Sequence, residues 1–256
     1  MTIRSLFRPV ALAGAAVILL GACSGSATPV PPIAAASPSA AASPSAAASP
    51  SAAPAASASP ATSAAVGTGT GSTGCPTSAP APMAAADTAT VTFATAKGSI
   101  VIKVTGSLAP NATGNFVALA ACGFYDGVVF HRLVPGFVIQ GGDGQFGRAP
   151  NVDAAHVGGG GPGYTITDDP VTTPYRRGTV AMARTSKPNS QGSQFFIVLD
   201  DKAADALAAA NTYAIIGEVT SGMDAVDTIG TMPNSGEPNN AALDPLPITK
   251  ATVTRP

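Results

Sequence analysis

Residues 130–143 read FHRLVPGFVIQGGD, and both apolar runs in this stretch are strand-like: Val128-Val129-Phe130 leads in, and Phe137-Val138-Ile139 follows. Residues 189–197, NSQGSQFFI, run into a further strand over 195–199 (FFIVL). Working outward, residues 88–95 (TATVTFAT) and 99–105 (SIVIKVT) alternate β-branched or apolar with polar residues about a short Ala96-Lys97-Gly98 turn, a hairpin signal. Residues 178–183 (GTVAMA) and 213–219 (YAIIGEV) are two more strands, and 247–254 (PITKATVT) closes a sheet edge. Three helices are expected. One runs from Pro110 to Ala121, with Pro110 suited to a first turn and Phe116, Leu119 and Ala120 at helical spacing. The others cover 202–210, rich in Ala and Leu, and 222–229, with Met223, Val226 and Ile229 on one face. Many short strands with two or three helices describe a mainly β fold, a closed antiparallel barrel capped by helices.

The core has to come from the second part of the chain. Between Arg8 and Asp87 there is no charged residue, and of the aromatic residues only Phe7 precedes Phe93. All 14 acidic residues fall from Asp87 onward, with all but two of the 13 basic ones. A stretch of Ala, Ser and Pro has little apolar surface to set against chain entropy. Residues 87–256 therefore form the folded domain. Its weakly negative balance argues against nucleic acid, which needs clustered Lys and Arg, and the Arg176-Arg177 pair reads as a solvated loop.

The first residues read as an address. A basic start (Arg4, Arg8), an apolar run from Val10 to Leu20 and the small pair Gly21-Ala22 before Cys23 follow the order of a secretory signal. The apolar run is well short of the ~20 residues that span a bilayer. Leu20-Gly21-Ala22-Cys23 resembles the bacterial lipobox, which makes 1–22 a signal peptide and Cys23 the lipidated residue. The alternative is an ordinary signal peptide with an incidental Cys. The expected location is the outer face of the bacterial cytoplasmic membrane, held by lipid alone. Residues 23–86 read as a disordered tether in which Ala-Ser-Pro-Ser-Ala-Ala recurs and places Pro38, Pro44 and Pro50 six apart. Export permits Cys75 and Cys122 to pair; two free thiols are the other reading.

Residues 130–143 and 189–197, in that order, resemble the two signatures of the cyclophilin-type peptidyl-prolyl isomerases. Residues 159–164 (GGGPGY) and 177–183 (RGTVAMA) are similar to the bacterial branch, and the likeness covers about 90–256. It implies an eight-stranded cyclophilin-like barrel that isomerises Xaa-Pro bonds of proline-containing polypeptides, with no cofactor and as a monomer. It implies Arg132 as the catalytic residue. Phe137 and Phe196 would wall the proline pocket, with Val138 and Leu207 beside them, while Phe195, alternating to the other face, belongs to the core. Gln140 and Gln194 would bond the substrate backbone or hold Arg132. Ala183 and Arg184 would pair with the peptide as a strand, and Tyr213 would stand where relatives often carry His. The chain departs from many relatives in having no Trp and in carrying Arg184 in place of Asn.

The chemistry suits these residue types. The barrier to rotation is the amide resonance itself, so no nucleophile or metal is required. A guanidinium is permanently charged and donor-only, fit to stabilise a twisted amide. His131 invites a general-base role, but with no nucleophile motif nearby it reads as a structural ring hydrogen-bonded in the barrel. His156 reads as a loop residue, and two distant His make no metal site. The 158–163 run GGGGPG lacks the Lys of a phosphate-binding loop and reads as a turn under the site, with 144–157 as a loop near it. The competing function is a proline-binding or holdase module in which turnover is incidental.

Overall fold

The computed structural model describes residues 74–256, so the signal sequence, Cys23 and the tether up to residue 73 lie outside the described residues. Nine strands are found: β1 (Thr88–Thr95), β2 (Gly98–Thr105), β3 (Val129–Val134), β4 (Val138–Gly141), β5 (Thr179–Met182), β6 (Phe195–Val198), β7 (Ile215–Ser221), β8 (Ala241–Pro247) and β9 (Lys250–Thr254). Three helices accompany them: α1 (Pro110–Ala121), α2 (Ala203–Ala210) and α3 (Met223–Gly230). The strands form one antiparallel sheet in the order β8-β3-β4-β6-β5-β7-β2-β1-β9. Its two edge strands are consecutive in the chain. At the junction Ile248 donates to the Val128 carbonyl (2.9 Å) and Thr249 to that of Ala94 (2.8 Å), so the backbone itself draws the edges of the curled sheet together. The count is one above the expected eight because the C-terminal run is two strands. β8 carries Pro245 and Pro247, which belong on a sheet edge and mask its strand pattern.

Alternation along the strands divides two apolar layers. In β1 and β2 the inward residues meet across the register, Phe93 opposite Ile100 and Val91 opposite Ile102. Ile139 of β4, Val180 and Met182 of β5, Phe195 and Ile197 of β6 and Ile216 of β7 join them inside. At the centre Phe93, Phe116, Tyr125 and Phe195 pack ring against ring, with centroids 5.3 Å (Phe116–Tyr125) to 5.9 Å (Phe93–Phe116) apart. Each such ring, fully buried, contributes roughly 1.5–3 kcal/mol. The intervening residues, Val138, Ala181, Phe196, Val198 and Ile215, point the other way and form a second cluster with Leu207 and Ala203 of α2. That outer cluster is the floor of the candidate site.

α1 begins at Pro110, whose fixed φ and missing N–H suit a first turn. No side chain of its own caps it; Asp169, far along the chain, accepts from the Ala112 N–H (2.8 Å) and the Asn111 amide (2.9 Å). At the other end Cys122 is joined by a disulfide to Cys75, 47 residues earlier. The expected tether boundary at residue 86 therefore moves. From Cys75 the chain already lies on the domain: the Met83 N–H donates to the Pro110 carbonyl (2.9 Å), and the Met83 side chain packs on the core. Among the described residues no helix is long and apolar enough to cross a membrane.

Candidate active site

A bulge in β3 places the key residue. Phe130 pairs with Gly141 and Arg132 with Gln140, so His131 is an extra residue with no partner opposite. In an unbroken alternation Arg132, two residues after Phe130, would share its face and point into the core. The inserted residue reverses the alternation: Phe130 and Leu133 point in, and Arg132 is carried to the outer face opposite Gln140.

There a cavity of about 180 Å³ is lined by Arg132, Phe137, Val138, Gln140, Ala183, Arg184, Phe196, Leu207 and Tyr213. Nine of the ten residues expected to bind or catalyse thus come together. The Tyr213 ring stands edge-on to Phe196 with centroids 5.4 Å apart. Its backbone is fixed by Tyr175, whose hydroxyl donates to the Tyr213 carbonyl (2.9 Å) and accepts from its N–H (3.2 Å). Phe195 is wholly buried in the other layer, as its alternation requires.

The tenth residue, Gln194, lines a larger neighbouring cavity of about 390 Å³ instead. It belongs to a chain of hydrogen bonds that begins at the arginine. Arg132 Nη1 donates to Gln140 Oε1 (3.4 Å), and Gln140 Nε2 donates to Gln194 Oε1 (3.0 Å). Gln194 Nε2 then donates to the carbonyls of both Gly158 and Gly160 (2.8 Å each). From below, Asp143 Oδ2 accepts the N–H groups of the same two glycines (2.8 and 2.9 Å), while its Oδ1 accepts those of Gln145 and Phe146. The glycine run is therefore a wall of the larger cavity gripped from both sides. At Gly160 the missing side chain is required, since a Cβ would stand 2.4 Å from Asp143 Oδ1. Burial alone would raise the Asp143 carboxyl; the N–H groups of Phe146, Gly160, Gly158 and Gln145 outweigh it and hold it below the ordinary value.

One expectation is corrected. His131 is buried, 5% exposed, but neither ring nitrogen makes a hydrogen bond of good geometry among the described residues, although the Val129 carbonyl lies beside it. Burial lowers its pKa from 6.5 to about 4, against the pull of the Asp143 carboxylate and with a push from Arg132. The ring is neutral at pH 7 and fills space under Gly158. The Arg184 side chain is engaged within the domain, while its backbone N–H and carbonyl, the groups that would pair with a peptide strand, take no part in these contacts. Its side chain donates to the carbonyls of Thr185 (3.2 Å), Lys187 (2.8 Å) and Thr212 (3.5 Å) and meets Asp168 Oδ2 at 3.2 Å. The Ala183 N–H, too, is taken by the Gln194 carbonyl (2.9 Å).

Four supporting residues have no role assigned from the sequence, although Asp143 ends the first motif: Asp143, Asp168, Tyr175 and Asn115. The last joins both walls of the larger cavity, donating to the Gly192 carbonyl (2.7 Å) and accepting from the Tyr164 hydroxyl (2.8 Å). Among the described residues no three His, Cys, Asp or Glu gather as a metal site would require.

Comparison with known proteins covers the part of the chain that holds these residues. The sequence model of the family described as cyclophilin type peptidyl-prolyl cis-trans isomerase/CLD matches residues 90–253. A probable peptidyl-prolyl cis-trans isomerase of Brucella abortus is 41% identical over 158 residues, covering 61% of this chain and 78% of that protein. The peptidyl-prolyl cis-trans isomerase A of Dickeya dadantii is 35% identical over 178 residues, covering 68% and 90%. A crystal structure of a Cryptosporidium parvum cyclophilin type peptidyl-prolyl cis-trans isomerase superposes with a TM-score of 0.54 at 28% identity, covering 65% of this chain and 98% of that one. A second structure of that isomerase, obtained in the presence of the dipeptide Ala-Pro, gives the same TM-score at 29% identity, covering 64% and 98%. The strands that carry the cavity all lie inside the matched span, and the chain belongs to the cyclophilin-type peptidyl-prolyl cis-trans isomerases.

Proposed function

We propose that the 180 Å³ cavity takes the proline ring of an Xaa-Pro substrate and that Arg132 stabilises the twisted amide. The single observation that carries this reading is the Arg132 guanidinium, held by one long hydrogen bond, on a cavity whose apolar lining is Phe196, Val138, Leu207, Phe137 and Tyr213. The uncatalysed barrier is ~18–20 kcal/mol and consists of lost resonance. As the C–N bond twists, the prolyl nitrogen becomes pyramidal and gains a lone pair that can accept a hydrogen bond. An N–H of Arg132 directed at that nitrogen, or at the adjoining carbonyl, is stronger in the twisted state than in either planar one, which is what lowers a barrier. The apolar floor holds the ring still while the amide turns. The Ala-Pro dipeptide present with the Cryptosporidium protein has the chemistry proposed for this cavity.

The substrates on this reading are secreted or cell-envelope polypeptides, and the enzyme is exported and lipid-anchored through Cys23. Support comes from the order of basic, apolar and small residues before Cys23 and from a disulfide that suits an oxidising compartment. Cis-to-trans relaxation of an Xaa-Pro peptide, followed with wild type and Arg132→Ala, tests the catalytic role. Arg132→Ala is expected to lose about 10²–10³-fold in kcat/KM, the scale of losing one preorganised donor. Equal rates would leave a binding or holdase module. Mass spectrometry of the membrane fraction tests the anchor, and an unmodified Cys23 in an uncleaved chain rules it out.

A further inference from the structure

We propose that Asp168 is a positioning residue for substrate binding, acting through Arg184 on the wall that separates the two cavities. The inference rests on the proline cavity being the substrate site.

Arg184 lines both cavities, and so do Gln140 and Ala183. Its guanidinium fastens three separate segments of the rim. It reaches the turn after it through the Thr185 and Lys187 carbonyls, and it reaches the carbonyl of Thr212, the residue before Tyr213. The third partner is Asp168, at 3.2 Å. The carboxylate is itself engaged on every side. It accepts from the Asn189 N–H (2.8 Å) and from Gln191 Nε2 (2.9 Å), while its own N–H donates to Asn189 Oδ1 (2.9 Å). The next residue, Asp169, turns the opposite way and caps α1. The loop that presents Asp168 is thus tied to a helix, and Asp168 passes that rigidity to Arg184.

This ion pair differs from the others in the domain. The Arg184 side chain is 11% exposed and that of Asp168 21%, whereas Arg176–Glu218, Arg177–Asp227 and Lys250–Asp126 are each a third to two-thirds exposed. A charge pair shielded to this degree is poorly replaced by water, so removing one partner leaves the other uncompensated. An uncompensated Arg184 would leave the Thr212 and Lys187 carbonyls and turn toward the cavities it lines. The wall at Ala183 and the backbone before Tyr213 would then lose their fixed spacing. Arg132 takes its support from Gln140 and, through it, Gln194, and neither Arg132 nor Gln140 is hydrogen-bonded to Arg184 or Asp168, so the donor that acts on the amide keeps its own support.

The consequence is a loss of binding without a loss of turnover. A wall that contacts planar and twisted substrate alike contributes to KM and leaves kcat alone. Asp168→Asn keeps the shape and removes the charge. It is expected to raise KM for an Xaa-Pro tetrapeptide about three- to tenfold with kcat within about twofold of wild type. Arg184→Gln is expected to do the same, and the double variant to be no worse than either single one. Asp168→Glu should recover part of the loss. An unchanged KM in Asp168→Asn overturns the proposal, and so do additive effects in the double variant or a fall in kcat that follows a fall in Tm. Should Asp168→Asn fail to fold, Arg184→Gln carries the test, since the Asn189 and Gln191 contacts remain, and an unchanged KM there is equally fatal. Arg132→Ala, run alongside, separates the two levels. If it matches wild type, the site reading fails. If it is inactive while Asp168→Asn is unaffected, only the role of Asp168 fails.

Discussion

His131 makes the stability of the domain depend on pH in a window of its own. The residue sits in the β3 bulge, 5% exposed, and its pKa falls from 6.5 to about 4, chiefly because burial removes the water that would solvate the cation. The sign follows from the proton count. Between pH 6.5 and 4 the unfolded chain carries a proton on this ring and the folded chain does not, so acid favours unfolding. The stabilisation is fully present above pH 6.5 and disappears as the pH falls toward 4. The fall from 6.5 to about 4, at 1.36 kcal/mol for each tenfold loss of proton affinity, comes to about 3 kcal/mol. The carboxylates act lower: Asp143, held below its ordinary value by backbone donors, contributes stability that is lost only beneath the unfolded carboxylate pKa, near 4. Urea unfolding of wild type and His131→Leu at half-unit steps from pH 7.5 to 4.5 separates the ring from every other group. Wild type should lose up to about 1.4 kcal/mol per unit in the middle of the window, while the variant stays nearly flat. Parallel slopes in the two proteins would refute the assignment, because no ring would then be excluded from protonation by the fold.

Two further outcomes are expected. Cys122→Ser opens a loop of 47 residues, for which chain entropy sets a loss of about 4 kcal/mol as an upper scale, and it frees 75–86 for proteolysis; unfolding midpoints that do not respond to a reductant would count against it. Gly160→Ala places a methyl 2.4 Å from Asp143 Oδ1 and should displace the glycine wall together with Gln194 and Gln140. A fall of about tenfold in kcat/KM is expected on the scale of one disturbed positioning contact, and an unchanged kcat/KM would detach that wall from catalysis.

The elements were legible where local pattern and tertiary demand agree. α1 starts at Pro110 and ends at Ala121 as its spacing indicates, and β1, β2, β5 and β6 fall within a residue or so of their alternating runs. Of the nine expected site residues that line the cavity, five (Arg132, Phe137, Val138, Gln140 and Phe196) lie in the two long motifs, and the other four rest on the wider resemblance. What could not be read depends on other parts of the chain. The bulge that turns Arg132 outward is a register event between β3 and β4, and nothing within HRLV announces it. Asp143 and Asp168 look like ordinary loop carboxylates until the backbone donors and Arg184 are brought to them by folding. The resemblance places Arg184 against the peptide but says nothing of what holds its side chain, because those partners, at 168 and 212, are distant in sequence. The Cys75–Ala86 segment reads as more tether because its hold is a disulfide, a backbone hydrogen bond and a partly buried Met83, not a periodic pattern.

If Arg132 acts as proposed, the way the arginines are held separates catalyst from scaffold. Arg148 donates to the carbonyls of Asp126 and Phe124, and Arg177 grips Asp227 with both terminal nitrogens and reaches the Leu199 carbonyl as well. Arg176 is paired with Glu218, and Arg184 has carbonyls and a carboxylate around its fork. Arg132 differs: among the described residues its side chain makes a single hydrogen bond, a long one of 3.4 Å to Gln140. A group that is to stabilise a twisted amide needs N–H donors left over, and it needs to be aimed before the substrate arrives. Both conditions hold only if something other than a carboxylate orients it, since a carboxylate would engage the fork bidentately. A neutral amide takes one donor and leaves the rest, and that amide is itself fixed by Gln194 and, through it, by the glycine wall. Gln140 opposite Arg132, not Asp or Glu, is therefore a requirement of the chemistry as much as of the fold.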